Sequence, residues 1–213
     1  MCRLLAVHDR HPFAIGSHLK NLAQLARDSC EYQGDGWGCA WTAGQDWQVY
    51  RNVRPIWKDD LEQFGTAHRL LAHARSAFHN EPPDVNHNMP FLAGPEAFIF
   101  NGELHGVTLQ AEGRIGAEKL FHFLRRFPGS PRHENLARAL AVVKKKSRYI
   151  RAMNFVLADP HAFHVHTLFS ENAAYFTLHK KQAGTQFLIC SEPFPGESGW
   201  SPLPNDYLEV HPF

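Results

Sequence analysis

Cys2 follows the initiator methionine in Met1-Cys2-Arg3-Leu4-Leu5-Ala6-Val7. Cysteine in that place is small enough for Met1 to be trimmed, which leaves Cys2 with a free α-amine. A thiol beside its own amine is a nucleophile with a built-in base. The amine titrates near ~7.7–8.0, so a useful fraction is neutral at physiological pH and no separate histidine is required. Read alone, the same residue is a small apolar position opening a strand, so its chemistry needs support elsewhere in the chain.

Further segments carry groups that could act with it. His73-Ala74-Arg75-Ser76 brings a cation to the end of an apolar strand, and Phe98-Ile99-Phe100-Asn101-Gly102-Glu103 ends a buried strand in Asn-Gly. Asn-Gly by itself signals a hairpin turn. Cys190-Ser191-Glu192-Pro193 is followed shortly by Trp200, and Gly34-Asp35-Gly36-Trp37-Gly38 breaks an otherwise regular stretch. Among 15 histidines, His164-Val165-His166 would place two rings on one strand face, as metal ligands might lie. No acid or thiol stands beside them at a recognisable spacing, so they read as surface or structural groups; neither a metal nor a cofactor is implied.

The elements that must position these residues follow from periodicity. Residues 2–8 alternate as a strand, and Leu19, Leu22, Leu25 and Ala26 predict a helix over about 18–29. Cys39-Ala40-Trp41 and Trp47-Gln48-Val49-Tyr50 predict a hairpin turning near Ala43-Gly44-Gln45-Asp46. Asp59 can cap a short helix through Phe64. Strands follow at His68–Ala74 and Ala97–Phe100, then two helical stretches marked by Leu120, Phe121, Phe123, Leu124 and Phe127 and by Leu136, Leu140 and Val143, separated by Pro128-Gly129-Ser130-Pro131. Met153–Ala158, Ala162–Leu168, Ala173–Leu178 and Gln186–Cys190 read as strands, Pro193 to Pro204 as a long surface loop, and Tyr207–His211 as an edge strand. Strands, then helices, then strands, without repeat or composition shift, predict one α+β domain.

Composition bounds the partners. The 213 residues suit one domain with a substantial core, and 44% hydrophobic with 20% charged residues is ordinary for a soluble protein. A net charge of +1 gives no support to nucleic-acid or anionic-membrane binding, and Lys144-Lys145-Lys146 reads as a solvated helix end. No apolar run reaches a membrane span and no signal-peptide plan is visible. Cys2, Cys30, Cys39 and Cys190 are scattered without a Cys-x-x-Cys pair, so a reduced, cytoplasmic protein is expected.

Taken in order, the Cys-Arg start, Gly-Asp-Gly-Trp-Gly, His-x-Arg, Asn-Gly-Glu-Leu and Ser-Glu-Pro with its downstream Trp resemble the class II glutamine amidotransferases, N-terminal-nucleophile (Ntn) hydrolases whose mature chains begin with cysteine. The resemblance covers nearly the whole chain and implies one amidotransferase domain over residues 2–213, folded as a four-layer αββα sandwich of two mainly antiparallel sheets. It implies that Cys2 attacks an amide carbonyl, that the Asn101 NH₂ and Gly102 N–H bind the developing oxyanion, and that Arg75 grips a substrate carboxylate bidentately. Glycine at 102 would let the backbone approach and take positive φ. Gly36 and Trp37 would line the substrate site, with Asp35 shaping the wall beside the nucleophile.

The chain also departs from the pattern. Where the family opens a helix with an aspartate that holds the substrate's α-ammonium, Ile115-Gly116-Ala117-Glu118 has Gly116, with Glu112 or Glu118 as possible stand-ins. Met89 takes a histidine's place in His87-Asn88-Met89-Pro90-Phe91. With no synthase domain in the sequence, the chain is similar to the stand-alone members, such as γ-glutamyl hydrolases. The expectation is hydrolysis of glutamine or a γ-glutamyl-type amide. A partner synthase receiving the ammonia, and a silent carboxylate-binding module on the same fold, are the alternatives. Oligomeric state is left open.

Overall fold

Leu4, Leu5, Ala6 and Val7 are all fully buried in the computed structural model, which describes residues 1–44, 46–77 and 84–213. A strand apolar at every position needs cover on both faces. β1 (Arg3–Ala14) has it: Leu4 and Ala6 join one apolar cluster, while Leu5 and Val7 join another. Successive side chains leave opposite faces of a strand, so β1 lies in the interior of a layered structure.

After β1 come α1 (Ile15–Arg27), β2 (Trp37–Thr42), β3 (Gln48–Asn52) and β4 (Thr66–Ala74). β5 (Phe91–Ala93), β6 (Glu96–His105), α2 (Gly116–Leu124) and α3 (Arg132–Lys145) follow. The chain ends with β7 (Tyr149–Ala158), β8 (Ala162–Thr167), α4 (Ala173–Phe176), β9 (His179–Ala183), β10 (Gln186–Cys190), β11 (Ser201–Pro202) and β12 (Tyr207–Pro212). A seven-stranded sheet runs β11-β9-β10-β1-β4-β2-β3, and a five-stranded sheet runs β12-β8-β7-β6-β5. Every pairing is antiparallel.

One face of the larger sheet packs Leu5, Val7, Leu70 and Ala72 with Leu19, Leu22 and Ala26 of α1. Its other face contributes Leu4, Ala6 and Leu71 to a cluster shared with Ile99 and Val156 of the smaller sheet. On that sheet's far side Phe98 stacks on Phe121 of α2 with ring centroids 5.1 Å apart, and Leu140 and Val143 bring α3 into the same cluster. The layers are therefore α1, seven strands, five strands, and α2 with α3, an α+β sandwich. Among the described residues no helix is long and apolar enough to cross a membrane.

Several elements differ from the sequence reading. β1 continues to Ala14 through an irregularity between His8 and Phe13, and α1 begins at Ile15. Gly16 permits that early start, because a Cβ there would sit 2.6 Å from the Leu61 carbonyl oxygen. Asp59 caps no helix. It ends a 3₁₀ turn at Ile56–Lys58 in extended conformation, and its carboxylate accepts from Trp37 Nε1, Tyr50 OH and Asn52 Nδ2. Ala173–Leu178 is no strand: α4 starts after Asn172 in the left-handed region (φ 48°) and buries Tyr175 and Phe176. So short an apolar run does not fix its own period. The strand comes next, as polar β9, which pairs with β10. The hairpin β2–β3 forms as expected, although Gln45 at its turn lies outside the described residues.

Candidate active site

Strand alternation brings the candidate side chains to one place. Cys2 continues the face of β1 that carries Leu4 and Ala6, and the pairing of Leu4 with His73 puts His73 on that side of β4. From the facing sheet, Asn101 shares the face of Ile99. The two sheets meet there: the Cys2 backbone N–H donates to Asn101 Oδ1 at 3.0 Å. A second bond crosses one residue away, His73 Nε2–H to the Phe100 carbonyl oxygen at 3.1 Å. The carbonyl can only accept, which places the His73 proton on Nε2. Burial pushes the His73 pKa down to about 3, so the ring stays neutral.

Because Oδ1 is taken by Cys2, the other end of the Asn101 amide must be the donor. Nδ2 is buried and has no hydrogen-bond partner among the described residues. The Cys2 sulfur receives the Ser76 N–H at 3.4 Å and lies 3.7 Å from the Ser76 carbonyl oxygen. Burial raises the thiol pKa, against the opposing pull of the N-terminal ammonium, the Ser76 N–H and Arg75.

Gly102 is required for a reason other than the one expected. Its φ is not positive. Instead, a Cβ would lie 2.1 Å from the Ala152 carbonyl oxygen of β7 and 2.7 Å from the Phe100 ring. Only glycine fits at that point of the ladder.

Arg75 is buried, with Nη1 donating to the Asp35 carbonyl oxygen at 3.5 Å. Its main chain is held on both sides, Arg75 N–H to Gly36 O at 2.9 Å and Asp35 N–H to Arg75 O at 3.2 Å, while the Asp35 carboxylate accepts from Ala77 N–H. The glycine-rich loop is thus a brace for the segment 75–77. Gly36 sits at φ +110°, and a Cβ would come 2.3 Å from Asn88 Nδ2, so conformation and space both demand glycine. Trp37 is fully buried in the α1-side core and donates from Nε1 to Asp59 at 2.9 Å.

A cavity of about 610 Å³ opens at this place, lined by Cys2, Arg75, Ser76, Met89, Gly102 and Gly116 among others. Gly36, Trp37 and Asn101 are not among the lining residues, although Asn101 touches Cys2 through Oδ1 and Gly36 touches Arg75 through its carbonyl. Glu112 and Glu118 do not line it either. Glu118 accepts the Arg114 guanidinium at 2.5 and 3.0 Å, which with burial against it leaves its pKa at about 2, so it is already committed. Glu31 does reach the cavity, where it binds the Met1 ammonium at 3.3 Å.

No family model matches the sequence, and no curated protein matches it. Solved structures do. A glutamine aminotransferase class-II domain protein from Silicibacter pomeroyi superposes with TM-score 0.66 at 19% identity, covering 100% of this chain and 99% of that one. A predicted glutamine amidotransferase from Pseudomonas aeruginosa gives 0.60 at 15% identity, covering 98% and 96%. The glutamine phosphoribosylpyrophosphate amidotransferase of B. subtilis gives 0.64 at 16%, with 89% of this chain spanning 42% of that one. This chain has the class II glutamine amidotransferase fold.

In this amidotransferase fold the Ser191-Glu192 segment braces the start of β1. Ser191 Oγ accepts Leu4 N–H at 3.2 Å, Ser191 N–H donates to Leu4 O at 3.0 Å, and Glu192 pairs with buried Arg3 at 2.6 Å. Gln33, Asn88 and Tyr175 went unnoticed in the sequence. Gln33 Nε2 and Tyr175 OH both donate to the Met1 carbonyl oxygen, Tyr175 at 2.6 Å. None of the three sits in a spacing that signals chemistry; their partners are brought by distant parts of the chain. His164 and His166 are buried structural groups, bonded to Asp159 at 2.7 Å and to the Tyr207 carbonyl at 2.9 Å.

Proposed function

We propose that the protein hydrolyses the side-chain amide of glutamine or of a γ-glutamyl-type compound, with Cys2 as nucleophile once Met1 has been removed. One observation carries this reading. The Cys2 nitrogen, which becomes the α-amine on trimming, is 3.0 Å from Asn101 Oδ1 and leaves Asn101 Nδ2 as a buried, unused donor.

In the proposed cycle the neutral α-amine takes the Sγ proton and the thiolate attacks the amide carbonyl carbon. Asn101 Nδ2 and the Gly102 N–H stabilise the oxyanion. Collapse breaks the C–N bond, and the ammonium returns its proton to the departing nitrogen. Water, deprotonated by the same amine, then adds to the thioester; collapse expels the Cys2 thiolate, which the ammonium reprotonates, and the released carboxylic acid gives its proton to solvent. Arg75 holds the substrate's carboxylate as a planar, two-pronged donor. Gly36 and Trp37 act by fixing the 75–77 segment.

The matches to the Silicibacter and Pseudomonas proteins support amide chemistry of the glutamine amidotransferase kind in general. A second reading, ammonia passed to a partner synthase, draws on the match to 42% of a larger amidotransferase. Cytoplasmic, reducing surroundings suit a nucleophilic thiol under either reading. Intact mass will show whether Met1 is gone. Cys2→Ala protein should lose cleavage of every amide the parent cleaves, and a fully active Cys2→Ala protein refutes the assignment.

A further inference from the structure

The cavity at Cys2 is larger than a nucleophile and a carboxylate clamp require. Its volume of about 610 Å³ lies within the ~300–1,000 Å³ of pockets that enclose drug-sized ligands. Arg75, Ser76 and Gly102 surround the reactive end. The remaining wall is supplied largely by Leu104, Leu109, Ile115, Leu120, Phe123 and Val143, from the end of β6, the connection to α2, and α2 and α3 themselves. Leu120, Phe123 and Val143 belong to the buried apolar cluster beneath, so this wall is the exposed edge of the core.

Charge within this wall is already matched or turned outward. Arg114 is paired with Glu118, Glu103 with His105 and Arg151, and Lys119 is exposed. Gly116 adds no side chain to the wall, and a Cβ built there would meet nothing within 4 Å. A small zwitterion would leave most of this apolar surface facing water; an apolar substituent would cover it.

We propose that the cleaved amide carries, besides the carboxylate held by Arg75, a bulky alkyl or aryl group that packs on the Leu109–Ile115–Leu120–Phe123 wall. This inference rests on the hydrolase reading and narrows its substrate class. Such a group can sit on the amine side of the scissile bond or on the acyl side; both present the same chemistry to the wall.

The test uses the full chain with Met1 removal verified by mass. One series is γ-glutamyl n-alkylamides from methyl to octyl, the other N-acylglutamines from acetyl to octanoyl, with glutamine as the common reference. In the arm that matches the substrate, kcat/KM should rise about fourfold per added methylene until the wall is covered, the transfer value of a buried CH₂. Ile115→Glu should flatten that rise. The slope is a ratio within one preparation, so partial loss of folded protein does not mimic the effect. Flat series in both arms with glutamine still cleaved, or an Ile115→Glu protein with the parental slope, overturns this inference and leaves the hydrolase reading standing. No turnover of any member overturns both.

Discussion

Replacing Asn101 tests the site at its most exposed assumption. The side chain has two separable duties: Oδ1 holds the Cys2 nitrogen at 3.0 Å, and buried Nδ2 is left for the reacting oxygen. Asn101→Ala removes both. Loss of one oxyanion donor costs about 2.7–4 kcal/mol of barrier, so kcat should fall on the order of 10²–10³-fold. Leaving a buried N–H without its acceptor costs a further ~1–3 kcal/mol, which appears in stability as a lower Tm. Asn101→Asp separates the terms, since it keeps an oxygen near the Cys2 nitrogen while replacing the donor with a second acceptor. It should lose at least as much turnover as Asn101→Ala. Steady-state amide hydrolysis should be read beside the rate of Cys2 alkylation by iodoacetamide, a reaction that builds no oxyanion at a carbonyl. The expected pattern is a collapsed kcat with alkylation largely retained. Turnover within about threefold of the parent refutes the oxyanion role, and alkylation falling in step with turnover would reduce Asn101 to a positioning group.

Three other outcomes are expected. Gly102→Ala forces a Cβ to 2.1 Å from the Ala152 carbonyl and should destabilise the protein by about 1–3 kcal/mol, measured by denaturant unfolding, with activity lost alongside. His73 is held at about 3, below its unfolded value near ~6.5, so the unfolded chain takes up the extra proton. Stability is then fully present above pH ~6.5 and falls toward pH 3, by up to ~1.4 kcal/mol per pH unit from this group, and the difference between parent and His73→Gln unfolding curves should show that slope. Gly116→Asp places a carboxylate in open space at the first residue of α2, where the helix dipole favours it. If the site can seat an α-ammonium there, cleavage of free glutamine should rise about ten- to a hundredfold, the worth of a charge-assisted hydrogen bond of ~1.5–3 kcal/mol; unchanged glutamine kinetics would show that the position does not face the amine.

The candidate residues were legible because each borders an apolar run, although β6 continues through Asn101 and Gly102 to His105 instead of turning there. Leu4 to Val7, Leu70 to Ala74 and Ala97 to Phe100 are apolar enough to announce buried strands, and Cys2, Arg75 and Asn101 stand at or beyond those runs. Sequence order cannot say which strand ends meet; that is set by the order of the sheets and the packing between them. For the same reason Gly102 suggested an unusual φ, when the demand comes from a carbonyl on the neighbouring strand. The Gly-Asp-Gly-Trp-Gly segment reaches the 75–77 backbone and the core, contacts that its spacing alone does not announce. α4 was misjudged because Ala173-Ala174-Tyr175-Phe176 is short and apolar, and its conformation follows from what Tyr175 and Phe176 bury against, namely Ala152 and Met1.

β1 lies between β4 and β10, and its first residues are clasped by Ser191 and Glu192. β1 therefore joins two partners separated by more than 110 residues of chain, β4 (Thr66–Ala74) and β10 (Gln186–Cys190). In the folded chain the Met1 side chain is only 11% exposed, and its ammonium pairs with Glu31 at 3.3 Å. A chain that folds with Met1 still attached keeps that residue in the wall of the cavity beside Cys2.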